Sequence, residues 1–187
     1  LGLLKNEIIQ YYDKGRYEKD CIRVTRQAEK TLAAWEGKKK TALVLDIDDT
    51  SISTMPHMRE TDFGYIPDLW KAWAMRADAP AIPSTLKLAQ QAAEQGTAIF
   101  FITGRQEAYR ACTEQTLRSA GYPPWTSLIM KPDGDHRKAE DYKTEERKKI
   151  INMGYTIVVN LGDQDSDLIG GCAEFPFKLP NPCYYIP

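Results

Sequence analysis

The chain has 187 residues, of which 42% are hydrophobic and 27% are charged, and its formal net charge at pH 7 is −1. This length suffices for one domain with a hydrophobic core, and the balanced charge provides no basic surface for a nucleic-acid polymer or an anionic membrane. No apolar run approaches the roughly 18 residues that a membrane span requires. We therefore expect a globular protein without a membrane span.

Neither the opening residues nor the cysteine content shows in which cellular compartment the protein lies. The opening residues 1–4 are too short for the apolar core of a signal peptide, so we expect an export signal to be absent or to have been removed. The cysteines lack CxxC spacing and lie far from both histidines, which argues against a zinc site or a thioredoxin-like motif. They permit either disulfides or free buried thiols. They are Cys21, Cys112, Cys172 and Cys183.

The hydrophobic pattern predicts helices and strands that alternate along the chain. Apolar residues at three- and four-residue steps predict helices over 3–13 and 17–36, and the lysine run 38–40 then predicts a solvated loop. Further helices are predicted near 68–77, over 83–95, over 106–120 and over 143–153. Apolar runs predict strands over 42–47, 97–102, 127–130 and 155–161, with an edge strand near 175–179 or 183–186.

Uninterrupted apolar strands that alternate with helices are typical of a mostly parallel sheet covered on both faces. We therefore predict an α/β, Rossmann-like three-layer fold in which residues 1–187 form one domain. Residues 1–36 would contribute the N-terminal helices. The connection over 51–82 is longer than is usual in such a domain, and we expect it to form a small helical cap over the site.

Residues 46–50 read Asp-Ile-Asp-Asp-Thr and follow the first apolar strand. Side chains two residues apart on a strand point the same way, so Asp46 and Asp48 are expected to face one small space at the carboxyl end of the sheet. Two carboxylates this close need a cation between them or a proton on one of them. An oxygen-only pair suits Mg²⁺ better than Zn²⁺. Taken alone, the segment is also compatible with a polar turn in which Ser51 and Thr54 cap a helix.

Polar residues also follow two other predicted strands. Thr103 and Gly104 come after the second strand, just before a helix whose amide groups would favour an anion. Asp163 follows the fourth strand, with Asp167 four residues later, and Lys143 begins the preceding predicted helix. Each feature alone is a weak signal. Their order on alternating strands is a strong one.

On these residues the sequence resembles the haloacid dehalogenase superfamily, whose four motifs correspond to residues 46–50, Thr103, Lys143 and 162–167. The resemblance runs from about Tyr11 to the fourth motif. It points to the acid phosphatases of subfamily IIIB, which include bacterial class B and class C enzymes and plant vegetative storage proteins. Flanking segments support that branch, namely 17–20, Trp70 and Trp73, 101–105, 142–145 and 147–149.

This resemblance implies a magnesium-dependent acid phosphatase that hydrolyses small phosphomonoesters. Asp46 would attack phosphorus and form an aspartyl-phosphate. Asp48 would protonate the leaving oxygen and then deprotonate water. The Asp46 and Asp163 carboxylates and the Asp48 backbone carbonyl would hold Mg²⁺. Thr103 and the Gly104 amide would bind a phosphoryl oxygen.

The resemblance also implies roles for Lys143 and Asp167. Lys143 would neutralise charge on the nucleophile and the phosphate, and Asp167 would orient Lys143 or a metal-bound water. Lys131, just after the third strand, competes for the lysine role, although a lysine held on a helix is favoured over one in a loop. For Thr103, the alternative is an ordinary helix cap.

Several side chains near the motifs have two interpretations. The aromatic residues of the 51–82 connection are favoured as minor core, and the alternative is that they stack on a nucleoside or aryl leaving group, as in the family's nucleotidases. Arg105 would contact substrate or form a surface ion pair. Asp49 and Asp165 are expected to be solvated or hydrogen-bonding residues, and His57 a loop residue. The aromatic candidates are Phe63, Tyr65, Trp70 and Trp73.

The alternative function is a non-catalytic storage or binding protein, which plant members of this branch become by replacing the nucleophile. Asp46 is intact here. A metal-independent dehalogenase is disfavoured because it would not need the second acid, Asp48. Since relatives are often exported, we expect a periplasmic or secreted protein, with a cytoplasmic location left open. The sequence does not choose between a monomer and a homo-oligomer.

Overall fold

A computed structural model of the protein describes residues 2–37 and 40–186. Within these ranges the strands are β1 (Lys40–Leu45), β2 (Ala98–Gln106), β3 (Ser127–Lys131), β4 (Tyr155–Gly162) and β5 (Phe175–Lys178). They form one sheet in the order β3-β2-β1-β4-β5, and every pairing is parallel. The predicted parallel sheet is confirmed. Residues 183–186, the second candidate for an edge strand, form none in the described structure.

Eight α-helices are described, together with a 3₁₀ turn over Glu107–Tyr109. Two of them, Met55–Glu60 and Asp165–Leu168, were not predicted because each is shorter than two turns and gives no clear periodic pattern. The predicted loop at residues 38 and 39 lies outside the described residues. The helices are α1 (Gly2–Asp13), α2 (Arg16–Ala33), α3 (Met55–Glu60), α4 (Pro67–Arg76), α5 (Pro83–Glu94), α6 (Arg110–Ser119), α7 (Ala139–Asn152) and α8 (Asp165–Leu168).

Successive residues of the central strands alternate between two hydrophobic clusters. Leu43 and Leu45 of β1 and Phe101 of β2 belong to the larger cluster, which includes residues of α2 and α5. Val44 and Phe100 belong to the second cluster, which includes residues of α7. Since neighbouring strand residues point to opposite faces, helices cover both sides of the sheet. This confirms the predicted Rossmann-like, three-layer α/β fold.

The strand order brings the candidate motifs to one edge of the sheet. β1 lies between β2 and β4, and Leu45 pairs with Phe101 on one side and with Leu161 on the other. The amide of Asp46 continues this pairing and donates to the Leu161 carbonyl at 3.1 Å. The residues that follow these three strands are therefore neighbours, as is usual for ligand sites in parallel sheets.

The 51–82 connection is closed at its base by its own backbone. Ser53 N–H donates to the Pro80 carbonyl at 2.8 Å, and Ile82 N–H donates to the Ser51 carbonyl at 2.9 Å. Helices α3 and α4 lie between these two ends. The connection is thus a folded insertion rather than an open loop. Its action as a cap over the site stays a prediction.

Two further expectations concern the thiols and the membrane. All four cysteines lie in the described ranges and are free, with Cys21 and Cys112 buried. The structure therefore realises the free-thiol alternative. Among the described residues, we find no helix that combines the length and the apolar character needed to cross a bilayer.

Candidate active site

Asp46, Lys143 and Asp167 form a buried ionic group at the carboxyl end of β1. The Lys143 Nζ donates to Asp46 Oδ1 and to Asp167 Oδ1, each at 2.5 Å. Burial by itself lowers the pKa of Lys143, but attraction to Asp167 and Asp46 outweighs burial and raises this pKa. The lysine is therefore a permanent cation at neutral pH.

The two candidate lysines, Lys143 and Lys131, lie in different surroundings. Helix α7 begins at Ala139, four residues earlier than predicted, so Lys143 lies in its second turn rather than at its start. The competing Lys131 lies at the end of β3 and donates to the backbone carbonyl of Arg137. Only Lys143, of these two, contacts Asp46.

Asp163 completes a cluster of three buried carboxylates. One oxygen from each of Asp46, Asp163 and Asp167 lies within 4.8 Å of the others. Burial raises the pKa of Asp46 well above its usual value, and Lys143 opposes this shift while the other two carboxylates add to it. Burial, followed by repulsion from Asp167, likewise raises the pKa of Asp163. Three carboxylates against one ammonium leave excess negative charge, and an all-oxygen donor set of this kind fits a hard divalent cation.

The Asp48 side chain is turned toward Arg105. Arg105 Nε and Nη2 donate to the two Asp48 oxygens at 2.8 and 2.7 Å, and Nη1 donates to Thr113 Oγ1 at 3.2 Å. The guanidinium carbon lies 5.5 and 5.6 Å from the ring centroids of Trp70 and Trp73. Of the two interpretations of Arg105, the ion pair is formed, but its expected surface location is wrong because the Arg105 side chain is only 2% exposed.

Arg105 is buried because β2 extends further than the apolar run indicated. The strand continues to Gln106, so Thr103 and Arg105 are buried on one face while Gly104 is exposed between them. The first helical turn begins only at Glu107. The predicted helix over 106–120 therefore begins one residue late, as a 3₁₀ turn that continues into α6. The helix-cap alternative for Thr103 is wrong, because Thr103 lies within β2 and not next to this turn. Thr103 Oγ1 instead accepts the Arg105 N–H at 3.1 Å.

The candidate aromatic residues differ widely in exposure. Trp73 is 3% exposed and belongs to the larger hydrophobic cluster, as the favoured core interpretation predicted. It stacks on His57, with ring centroids 5.2 Å apart. His57 is a buried residue of α3, so its expected place in a loop is wrong. Trp70 is half-buried and meets Tyr109 edge-to-face at 5.1 Å. Tyr65 is 75% exposed, so the core interpretation is wrong for this residue. Stacking on a leaving group stays a prediction.

Asp49 holds the loop after β1 in place. It has a φ of 56°, a conformation that Asp tolerates better than most residues. Its oxygens accept the amide of Thr54 at 2.9 Å, the Thr54 hydroxyl at 2.5 Å and the Tyr184 hydroxyl at 2.8 Å. Burial raises the pKa of Asp49 to about 7. Asp165 is exposed and pairs with Lys178. Both aspartates are hydrogen-bonding residues, as expected.

Sequence reasoning missed the residues that orient Asp163. Thr50 Oγ1 donates to its Oδ1 at 2.9 Å, and the side-chain amides of Gln164 and Asn181 donate to its Oδ2 at 2.6 and 2.7 Å. Thr50 and Gln164 stand inside two of the recognised motifs and could have been selected there. Asn181 follows the last strand in a stretch without a motif, so no sequence signal marked it.

Comparison with known proteins decides the family. The family model described as HAD superfamily, subfamily IIIB (Acid phosphatase), matches residues 3–187. The chain belongs to this family. The resemblance to haloacid dehalogenase superfamily acid phosphatases that the four motifs indicated is thereby confirmed.

Plant proteins are similar over most of the chain. "Stem 28 kDa glycoprotein" of Glycine max is 38% identical over 95% of this chain and 72% of its own length. "Acid phosphatase 1" of Solanum lycopersicum is 39% identical over 76% of this chain and 58% of its own length. "Vegetative storage protein 2" of Arabidopsis thaliana is 34% identical over 77% and 56% respectively. The matched region thus spans between about half and three quarters of these relatives.

A solved structure supports the fold. The class C acid phosphatase from Bacillus anthracis superposes with a TM-score of 0.82, covering 99% of this chain and 87% of that one, at 23% identity. At this identity the likeness is one of fold. It agrees with the Rossmann-like assignment reached from the sheet.

Proposed function

We propose that this subfamily IIIB chain is a magnesium-dependent acid phosphatase that hydrolyses small phosphomonoesters, with nucleoside monophosphates as candidate substrates. The observation that carries the proposal is the contact of Lys143 with Asp46 inside a buried cluster of three carboxylates. This contact supports the proposal, because a nucleophile that attacks a negatively charged phosphate would need a fixed positive charge beside it.

In the first step, an Asp46 oxygen would bond to phosphorus while the bond from phosphorus to the leaving oxygen breaks, which gives an aspartyl-phosphate. Asp48 would give a proton to the leaving oxygen, and in the second step it would take a proton from the water that attacks phosphorus. This releases phosphate and restores Asp46. Each Asp48 oxygen accepts one bond from Arg105 and keeps a second lone pair that can take the proton.

The remaining residues would bind the phosphoryl group or orient the side chains that do so. Lys143 would neutralise charge on Asp46 and the phosphoryl group, and its bond to Asp167 supports an orienting role for that aspartate. Thr103 and the Gly104 amide would bind a phosphoryl oxygen at the neighbouring strand end. Mg²⁺, held by the Asp46 and Asp163 carboxylates and by the Asp48 carbonyl, would supply positive charge for the phosphoryl oxygens.

A non-catalytic storage or binding role is the second candidate, and the similarity to vegetative storage protein 2 is the observation that favours it. The intact Asp46 and its contact with Lys143 favour the enzyme. A periplasmic or secreted location, and assembly as a homo-oligomer, belong to the proposal as expectations drawn from the relatives.

The deciding experiment is hydrolysis of p-nitrophenyl phosphate from about pH 5 to pH 8, with Mg²⁺ or with EDTA. We expect Mg²⁺-dependent turnover by wild type that disappears in Asp46→Asn. Asp165→Asn is a matched control, since Asp165 stands in the same segment as Asp163 and Asp167 but is exposed and pairs with Lys178, and it should retain wild-type turnover. Absence of wild-type turnover under every condition would favour the storage or binding role.

A further inference from the structure

The tail segment, residues 179–186, packs against the loop that carries Asp163. The Leu179 amide donates to the Gly162 carbonyl at 2.8 Å. Gln164 then holds the far part of the tail segment, because its Oε1 accepts the Ile186 amide at 2.9 Å and its Nε2 approaches the Tyr184 carbonyl at 3.4 Å. Backbone and side-chain bonds thus fix the tail segment beside the carboxyl end of β4.

One side chain of the tail segment reaches the carboxylate cluster. Asn181 Nδ2 donates to Asp163 Oδ2 at 2.7 Å, on the oxygen that also accepts Gln164. The Thr50 hydroxyl donates a hydrogen bond to the other oxygen of Asp163, Oδ1. An ionised carboxylate is acceptor-only, so these three donors together fix how the Asp163 carboxylate is rotated.

The same asparagine also shapes the tail segment. Its Oδ1 accepts the amides of Cys183 at 2.8 Å and Tyr184 at 3.4 Å. This turn carries the Tyr184 side chain to Asp49, where its hydroxyl donates at 2.8 Å. Since Asp49 holds the loop after β1, the tail segment connects the two loops that supply the cluster.

We propose that the tail segment positions the metal ligand Asp163 and that Asn181 is the positioning residue. The inference rests on the proposed function, because it takes Asp163 as a ligand of Mg²⁺. With Asn181 in place, the Asp163 carboxylate is held by donors from three parts of the chain. Without it, the carboxylate gains rotational freedom that binding of the cation must then remove. Loss of such an outer partner typically weakens metal binding about 10- to 100-fold.

Thermal unfolding measured against Mg²⁺ concentration tests this without turnover, because a ligand that binds the native state raises the midpoint by an amount set by the logarithm of the ratio of its concentration to its dissociation constant. The variants are Asn181→Leu and Asn181→Ser. Serine is too short to reach Asp163, but its hydroxyl can still accept the amide two residues on and keep the turn. Asn152→Leu is the matched control, since Asn152 is exposed at the end of α7.

We expect both Asn181 variants to bind Mg²⁺ about 10-fold more weakly than wild type or the control. The midpoint of Asn181→Ser in EDTA should stay close to that of the control, whereas Asn181→Leu also loses the turn and should unfold at a lower temperature. If Asn181→Leu does not fold, Asn181→Ser carries the test. An Asn181→Ser protein that binds Mg²⁺ within about twofold of wild type would overturn the positioning role alone. If wild type itself shows no response to Mg²⁺, the metal dependence fails and this inference fails with it.

Discussion

The ion pair between Arg105 and Asp48 provides a test of the structure that does not depend on catalysis. Arg105 is anchored on three sides, by the two Asp48 oxygens, by Thr113, and by the faces of Trp70 and Trp73. Replacing it in Arg105→Met keeps an unbranched apolar side chain against the tryptophans and removes the charge. The change therefore isolates the guanidinium.

The geometry gives the expected size of the effect. Removing one partner of a buried ion pair typically costs about 3–5 kcal/mol of stability. The Asp48 side chain is 22% exposed, so it recovers part of its hydration when Arg105 is lost. We therefore expect the free energy of unfolding of Arg105→Met to fall by about 3 kcal/mol, the lower end of that range. A double-mutant cycle with Asp48→Asn should give a coupling of about 1–3 kcal/mol, since the two residues are in direct contact.

The assay is equilibrium urea unfolding at pH 7 in EDTA, so that no metal contributes. Arg118→Met is the matched control, because Arg118 also pairs with a carboxylate, Glu114 at 2.9 Å, and lies 5.4 Å from the Trp125 ring centroid. Its side chain is 62% exposed, and such pairs contribute about 0–1 kcal/mol. Equal losses in the two variants, or a coupling to Asp48 below about 0.5 kcal/mol, would refute the reasoning.

Three further predictions concern the proposed site. Lys143→Met should lower kcat/KM for p-nitrophenyl phosphate by about 100-fold or more, whereas Lys131→Met should stay near wild type; similar losses would contradict the assignment of Lys143. Saturating Mg²⁺, at about 100 times its dissociation constant, should stabilise the protein by about 2.7 kcal/mol relative to EDTA, and equal melting temperatures would show that the carboxylate cluster holds no cation. Trp70→Ala should weaken turnover of a nucleoside monophosphate more than that of a small alkyl phosphate, by about 1 kcal/mol or more; equal losses on the two substrates would count against stacking.

Much of the fold was accessible from the sequence because its strands are uninterrupted apolar runs. The predicted strand 127–130 and the observed Ser127–Lys131 differ by one residue. Helix α5 agrees equally well, since Pro83 fixes its beginning. Errors lie where polar residues continue an element, as in β2, which runs through Thr103 to Gln106. A polar side chain in a strand is invisible to hydropathy unless its partners are known.

The candidate site, like the fold, could be predicted from the sequence only in part. Asp46 and Asp163 could be selected as candidates because each follows a predicted strand, whose end is marked by the change from apolar to polar residues. Arg105 was misjudged, since its burial depends on Asp48 and on tryptophans over 30 residues away in the chain. Asn181 was missed altogether because its contact with Asp163 forms only when the chain returns after β5.

The sequence by itself determined the order of strands and helices, the motif residues and the resemblance to the haloacid dehalogenase superfamily, because local periodicity and short motifs are properties of neighbouring residues. The tertiary structure decided which lysine meets Asp46, which arginine neutralises Asp48 and what orients Asp163. Those choices depend on which side chains converge from distant segments into a space that excludes water. Burial makes an unpaired charge costly only after that space has formed, so the partners that satisfy each charge are a property of the folded chain.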